Sequence, residues 1–117
     1  MVTIKSKEEI ELMKIAGHVL AQAIEMLKEM VKPGVNCLEL DSAFEKFIIE
    51  KDCKSNFKGY GGFPKTICIS INDQLVHGIP ANRVIQDGDI VSIDTGCSYK
   101  GYHADSAFTI IAGTPKN

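Results

Sequence analysis

No block of lysine or arginine interrupts this sequence, and its formal net charge is only −2. That leaves no electrostatic footprint for nucleic acid or for an anionic membrane surface. No apolar run approaches the roughly 20 residues that a membrane span requires. The first residues do not show the charged, then apolar, then small-residue succession of a secretory signal. Cysteine is scarce and scattered: Cys37, Cys53, Cys68 and Cys97 stand far apart, with no C-x-x-C. This spacing argues against a disulfide frame and against a zinc knot, so reduced thiols in a cytoplasmic protein are expected. Internal repeats, low-complexity tracts and linkers are missing as well. The 117 residues therefore read as one domain, long enough to bury a core.

Against these absences, two helical signals open the chain. Ser6-Lys7-Glu8-Glu9 forms a capping box, in which the Ser6 hydroxyl accepts from the Glu9 amide while Glu9 reaches back. Ile10, Met13, Gly17, Leu20, Ile24, Leu27 and Val31 follow at helical spacing, and Pro33-Gly34 ends the helix. Asn36 with Glu39 makes a second box, before a helix expected to bury Leu40, Phe44, Phe47 and Ile48. Met13, Met26 and Met30 read as gap-fillers or exposed residues rather than as a ligand stripe.

The texture changes after Asp52. Glycines and a proline in Lys58-Gly59-Tyr60-Gly61-Gly62-Phe63-Pro64 preclude a regular element. Thr66 to Ile71 alternates, with Ile67, Ile69 and Ile71 on one side and Thr66, Cys68 and Ser70 on the other, which is the pattern of a half-buried strand. Asn72-Asp73 marks a turn, and Leu75-Val76-His77 reads as a short return strand before Gly78-Ile79-Pro80. Two β-rich runs, Ile90 to Cys97 and Tyr102 to Ile110, then flank a turn expected at Ser98 to Gly101. The order helix, helix, then several mostly antiparallel strands is α+β, with the helices on one face of a curved sheet.

The residues most suggestive of chemistry lie in that hairpin. A symmetric turn over Ser98 to Gly101 sets Asp94 directly opposite Asp105, on one face. Side chains so placed have Cβ atoms about 5 Å apart, and two carboxylates at that distance repel by about 3 kcal/mol at an effective dielectric of about 20. A shared proton or a bound cation relieves this. Hard oxygen ligands suit magnesium, manganese and similar ions. The alternative is a pair of solvated acids on an exposed hairpin. His77, at a strand end, can hydrogen-bond a substrate or carry a proton, or can be a surface histidine. His103 shares the face of Asp105 and can support a metal-bound carboxylate or fill space beside Gly96. His18 has no partner in sequence. Tyr60, Phe63 and Cys68 form either ordinary core or a wall suited to an unbranched apolar side chain such as methionine.

Taken together, Gly59-Tyr60-x-x-Phe63-Pro64, Cys68-Ile69-Ser70-Ile71-Asn72, His77-Gly78-Ile79-Pro80 and Gly88-Asp89-Ile90-Val91 through Asp94 to Asp105 resemble the type I methionine aminopeptidases. The order and spacing of these motifs extend the resemblance from Ser6 to the end of the chain. It implies the pita-bread (creatinase/aminopeptidase) fold, with residues 1–117 as a single N-terminal lobe and the C-terminal lobe absent. It also implies two divalent metal ions per complete site, of cobalt, manganese, iron, nickel or zinc. Asp94 would chelate one ion and Asp105 would bridge both. His77 would contact the substrate near the scissile amide as a catalytic residue, and Tyr60, Phe63 and Cys68 would line the methionine pocket.

The implied reaction removes an initiator methionine from a nascent polypeptide or peptide whose second residue is small, through water activated at the cations. A histidine and two glutamates of the second lobe would complete the ligand set, and they have no counterpart here. Weak activity or none is therefore expected of this chain alone. The competing expectation is a lobe without turnover that binds metal, self-associates or pairs with a complementing C-terminal lobe. A related Xaa-Pro peptidase is disfavoured by Tyr60, Phe63 and Cys68.

Overall fold

The first helix, α1 (Lys7–Met30), starts where its caps dictate. The Ser6 hydroxyl accepts from the Glu9 amide at 3.1 Å, and the Glu9 carboxylate accepts from the Ser6 amide at 3.0 Å. α2 (Cys37–Glu50) repeats the device with Asn36 and Glu39. This computed structural model describes residues 6–59, 62, 64–72 and 79–115. Among them no helix is long and apolar enough to cross a membrane.

The buried stripe of α1 is Ala16, Val19, Leu20, Ala23 and Leu27. Leu20 and Leu27 belong to the face expected from periodicity, but Ile10, Met13 and Gly17 of that face are exposed. The two alanines are fully buried and let the helix lie close to the sheet. Cys97 donates from its thiol to the Ala16 carbonyl at 3.7 Å, a contact that a bulkier stripe would hold apart. In α2, Leu40, Phe44 and Ile48 are buried as expected, while Phe47 is half-buried.

The sheet contains β1 (Cys53–Ser55), β2 (Cys68–Ile71), β3 (Ile90–Tyr99) and β4 (Tyr102–Ile111). β3 is central. β4 runs antiparallel along its whole length, while β1 and β2 pair antiparallel with opposite ends of β3. On β3, Val91, Ile93, Thr95 and Cys97 are buried towards the helices, and Ser92, Asp94, Gly96 and Ser98 alternate onto the other, open face.

Tyr99 pairs with Tyr102, so the connection is the two residues Lys100 and Gly101, at φ 49° and 87°. Positive φ at both positions is the signature of a two-residue turn whose twist matches the flanking strands. This corrects the expected register. Asp94 pairs with Ala107 and Asp105 with Gly96, rather than with each other. The displacement is two residues, a full pleat, so both carboxylates stay on the same face; a slip of one would have separated them.

β2 starts two residues later than its alternation suggests. Ile67, Ile69 and Ile71 are buried as expected, but Thr66 is also fully buried instead of lying outside with Cys68 and Ser70. The cause is Asp41 on α2. One carboxylate oxygen accepts from the Thr66 amide and hydroxyl, each at 2.7 Å, and from the Ile67 amide at 3.2 Å. β1 was not expected at all, and the expected strand Leu75-Val76-His77 lies outside the described residues.

Two substitutions test this packing. Asp41→Ala orphans the buried amides of Thr66 and Ile67 and is expected to cost about 2–4 kcal/mol in urea unfolding. Gly17 is exposed mid-helix, and a Cβ built there meets nothing within 4 Å. Gly17→Ala is expected to stabilise by about 0.5–1 kcal/mol, because alanine restricts the unfolded backbone and favours the helix; a lower urea midpoint would contradict this.

Candidate metal centre

The open face of the hairpin presents two carboxylates in one cleft. Asp94 and Asp105 line a cavity of about 240 Å³ together with Phe57, Thr95, Ser106 and Ala107. Asp94 pairs with Ala107, and Asp105 is two residues back along β4, so the acids are diagonal neighbours. Diagonal side chains sit somewhat under about 7–8 Å apart at Cβ. Metal–oxygen bonds of about 2.0–2.2 Å to two inward-reaching carboxylates can close such a separation. Neither carboxylate is held in an ion pair or by a donated hydrogen bond among the described residues. Four oxygens thus remain for a hard cation, and the donor chemistry fits one. Among the described residues no group of three or more histidine, cysteine, aspartate or glutamate side chains is gathered to hold a metal. The pair fits as part of a coordination sphere.

Cys68 stands directly across from Asp94 on β2. Burial pushes its thiol up from the ordinary range, and the charge of Asp94 adds to the effect. Both effects favour the protonated thiol. Tyr60, Phe63 and His77 lie outside the described residues. Phe57, which lines the cleft, was not singled out in the sequence.

His103 does not engage the Asp105 carboxylate. Its Nδ1 meets the Asn56 side-chain oxygen at 2.8 Å. Asn56 is the second residue that sequence reasoning missed. The available signal was Gly96, since a glycine inside a strand often marks a close approach.

The remaining thiols lie behind this face. Burial pushes Cys97 up to about 12, with Cys53 beside it adding to the shift. Burial also raises Cys53 and Cys37.

This arrangement defines a class: an α+β fold that layers two helices on an antiparallel sheet and sets two carboxylates in a cleft on the opposite face. The model of metallopeptidase family M24 matches residues 11–117, and the chain belongs to that family. It is 66% identical over its full length to a methionine aminopeptidase of Mycoplasma capricolum, of which it covers 47%. It is 47% identical, over 97% of its length, to methionine aminopeptidase 1 of Bacillus subtilis, of which it covers 46%. Methionine aminopeptidase from Thermotoga maritima superposes with a TM-score of 0.90 at 37% identity, covering 99% of this chain and 47% of that one. Prolidase from Pyrococcus furiosus gives 0.78 at 27% identity, covering 97% and 32%. The fold is therefore the pita-bread fold, and membership in a metallopeptidase family implies divalent metal ions. The chain spans about half the length of the curated relatives it matches.

The thiols set a pH dependence. The folded pKa of Cys97, about 12, lies above its ordinary value of 9.0. The folded state then holds a proton that the unfolded state releases. This contribution to stability is complete below pH 9 and is lost as pH rises towards 12. Urea midpoints are expected to fall over that window, and less steeply in Cys97→Ala.

Proposed function

We propose that this chain carries the metal-binding carboxylates and the methionine-side wall of a methionine aminopeptidase centre. One observation carries the reading: Asp94 and Asp105 share the open face and one cleft, with Cys68 directly across from Asp94. The names of the relatives support the substrate assignment, and the fit of the paired oxygens supports the metal.

In this proposal residues 1–117 form the N-terminal lobe. Asp94 and Asp105 would hold two divalent ions, of cobalt, manganese, iron, nickel or zinc, Asp94 as a ligand to one and Asp105 as a ligand shared by both. When bound, the cations supply an activated water and stabilise charge at the scissile carbonyl. Cys68, as a neutral thiol, presents a soft apolar surface to the methionine side chain, and sulfur and aromatic groups pack well together. Tyr60 and Phe63 complete that wall. His77 hydrogen-bonds the substrate beside the scissile amide. Ligands beyond Asp94 and Asp105 come from outside the described residues. The substrates are nascent polypeptides or peptides with a small second residue, met in the cytoplasm, where the four free thiols stay reduced.

A second reading has its own support. Among the described residues no third histidine, cysteine, aspartate or glutamate is gathered with the pair, and among the described strands β4 pairs with β3 alone. An uncovered strand edge invites pairing. A lobe that binds metal and associates with a complementing lobe or a second copy, without turnover, is consistent with both facts.

Calorimetric titration with Mn²⁺ is expected to show binding that weakens at least tenfold in Asp94→Asn and in Asp105→Asn. A Met-Ala-Ser peptide with Mn²⁺ or Co²⁺ is expected to yield little or no methionine from the chain alone. Any release should disappear in both variants and should exceed cleavage of Ala-Pro. Metal binding indifferent to both substitutions would refute the proposal.

A further inference from the structure

Gly96 is the register partner of Asp105. Its backbone is not in the left-handed region, so conformational freedom does not explain a glycine there. Space does. A Cβ on Gly96 would lie 2.6 Å from Asn56 Nδ2 and 3.2 Å from Asn56 Cβ and Cγ. The side chain of Asn56 occupies the notch that the missing Cβ leaves.

From that notch Asn56 makes three bonds around Asp105. Its amide donates to the Gly96 carbonyl at 3.2 Å, on the residue facing Asp105. Its Nδ2 donates to the Ala104 carbonyl at 3.1 Å, on the residue before Asp105. Its Oδ1 meets His103 Nδ1 at 2.8 Å, two residues before Asp105 on the same face. A carbonyl can only accept, so the bond to Ala104 assigns the Asn56 amide orientation. Oδ1 is then the acceptor, and His103 carries its hydrogen on Nδ1. Asn56 is itself held by the turn that follows β1. The Ser55 hydroxyl accepts from the amides of Phe57 and Lys58 and donates to the Thr66 carbonyl.

We infer that Asn56 is a positioning residue for the metal centre: seated in the Gly96 notch, it bonds both strands of the hairpin and fixes the backbone beneath Asp105 and the ring of His103. The inference rests on the reading of Asp105 as a metal-holding residue. Asn56 makes no hydrogen bond to either carboxylate and acts through the strand that carries one of them.

The test uses the full chain and Mn²⁺ alone as probe. Asn56→Ala, Asn56→Ser and Gly96→Ala are compared with wild type, with cooperative unfolding recorded for each. Titration calorimetry reads Mn²⁺ affinity, and ¹⁵N NMR at pH 8 in metal-free chain reads which nitrogen of His103 carries the hydrogen. Wild type is expected to show the Nδ1–H form. Folded Asn56 variants are expected to lose that signature and to bind Mn²⁺ about tenfold more weakly, the scale of lost support around a ligand. Gly96→Ala, which evicts Asn56, is expected to do the same. The double variant Asn56→Ala/Gly96→Ala is expected to be no weaker than Asn56→Ala, because the notch is then empty and the two effects are not additive.

Retention of the Nδ1–H form in Asn56→Ser, with Mn²⁺ affinity within twofold of wild type, overturns the inference and leaves the metal assignment standing. Wild type that binds no Mn²⁺ overturns the metal assignment and, with it, a positioning role towards metal. A change in affinity without a change at His103 overturns the bridging account of Asn56.

Discussion

The molecule depends on the two-sidedness of one strand. β3 is paired along both edges and pleated between unlike environments. Val91, Ile93, Thr95 and Cys97 enter the core beneath the helices, while Ser92, Asp94, Gly96 and Ser98 face away. A side-chain period of two forces that division. The helices are packed against one face and the carboxylates belong to the other, so the register that buries Ile93 is the register that exposes Asp94. Core packing thereby holds the carboxylate-bearing face in place, and β4 inherits the same constraint through its pairing.

Charge and hydrogen bonding reinforce this division. Asp41, nearly buried, has its oxygen filled by the amides of Thr66 and Ile67 and the hydroxyl of Thr66. Asp94 and Asp105 are exposed and have no such donors among the described residues. One aspartate is satisfied by the fold and holds α2 to the start of β2. The other two are left with oxygens to offer. The same residue type is satisfied by the fold in one layer and left open in another, and the difference is which groups surround it.

What could be read from the sequence was local. Both capping boxes, the buried isoleucines of β2 and the shared face of Asp94 and Asp105 follow from short-range patterns, and all are present. The motif resemblance led to the family that the comparisons show. What could not be read depended on contacts between distant residues or on a turn of unknown length. The face of α1 turned towards Ala16 and Ala23 because the sheet chose the closest approach. Thr66 went inside because Asp41, on another element, supplied an acceptor. The hairpin register moved by one pleat because Lys100 and Gly101 both adopt positive φ. β1 is only three residues long and has no periodicity to detect. Asn56 became visible only once Gly96 was seen to leave room for it.

β1 pairs with residues 97–99 of β3 and β2 with residues 91–94. Thr95 and Gly96 therefore face a break in that edge of the sheet, at the level where Asp105 crosses from the other side. Asn56, the first residue after β1, fills this break: its amide donates to the Gly96 carbonyl on β3 and its Nδ2 to the Ala104 carbonyl on β4. Phe57, the next residue, lines the cleft itself. Wall and floor of the cleft are consequently tied at one joint, and a change of sequence there reaches both at once.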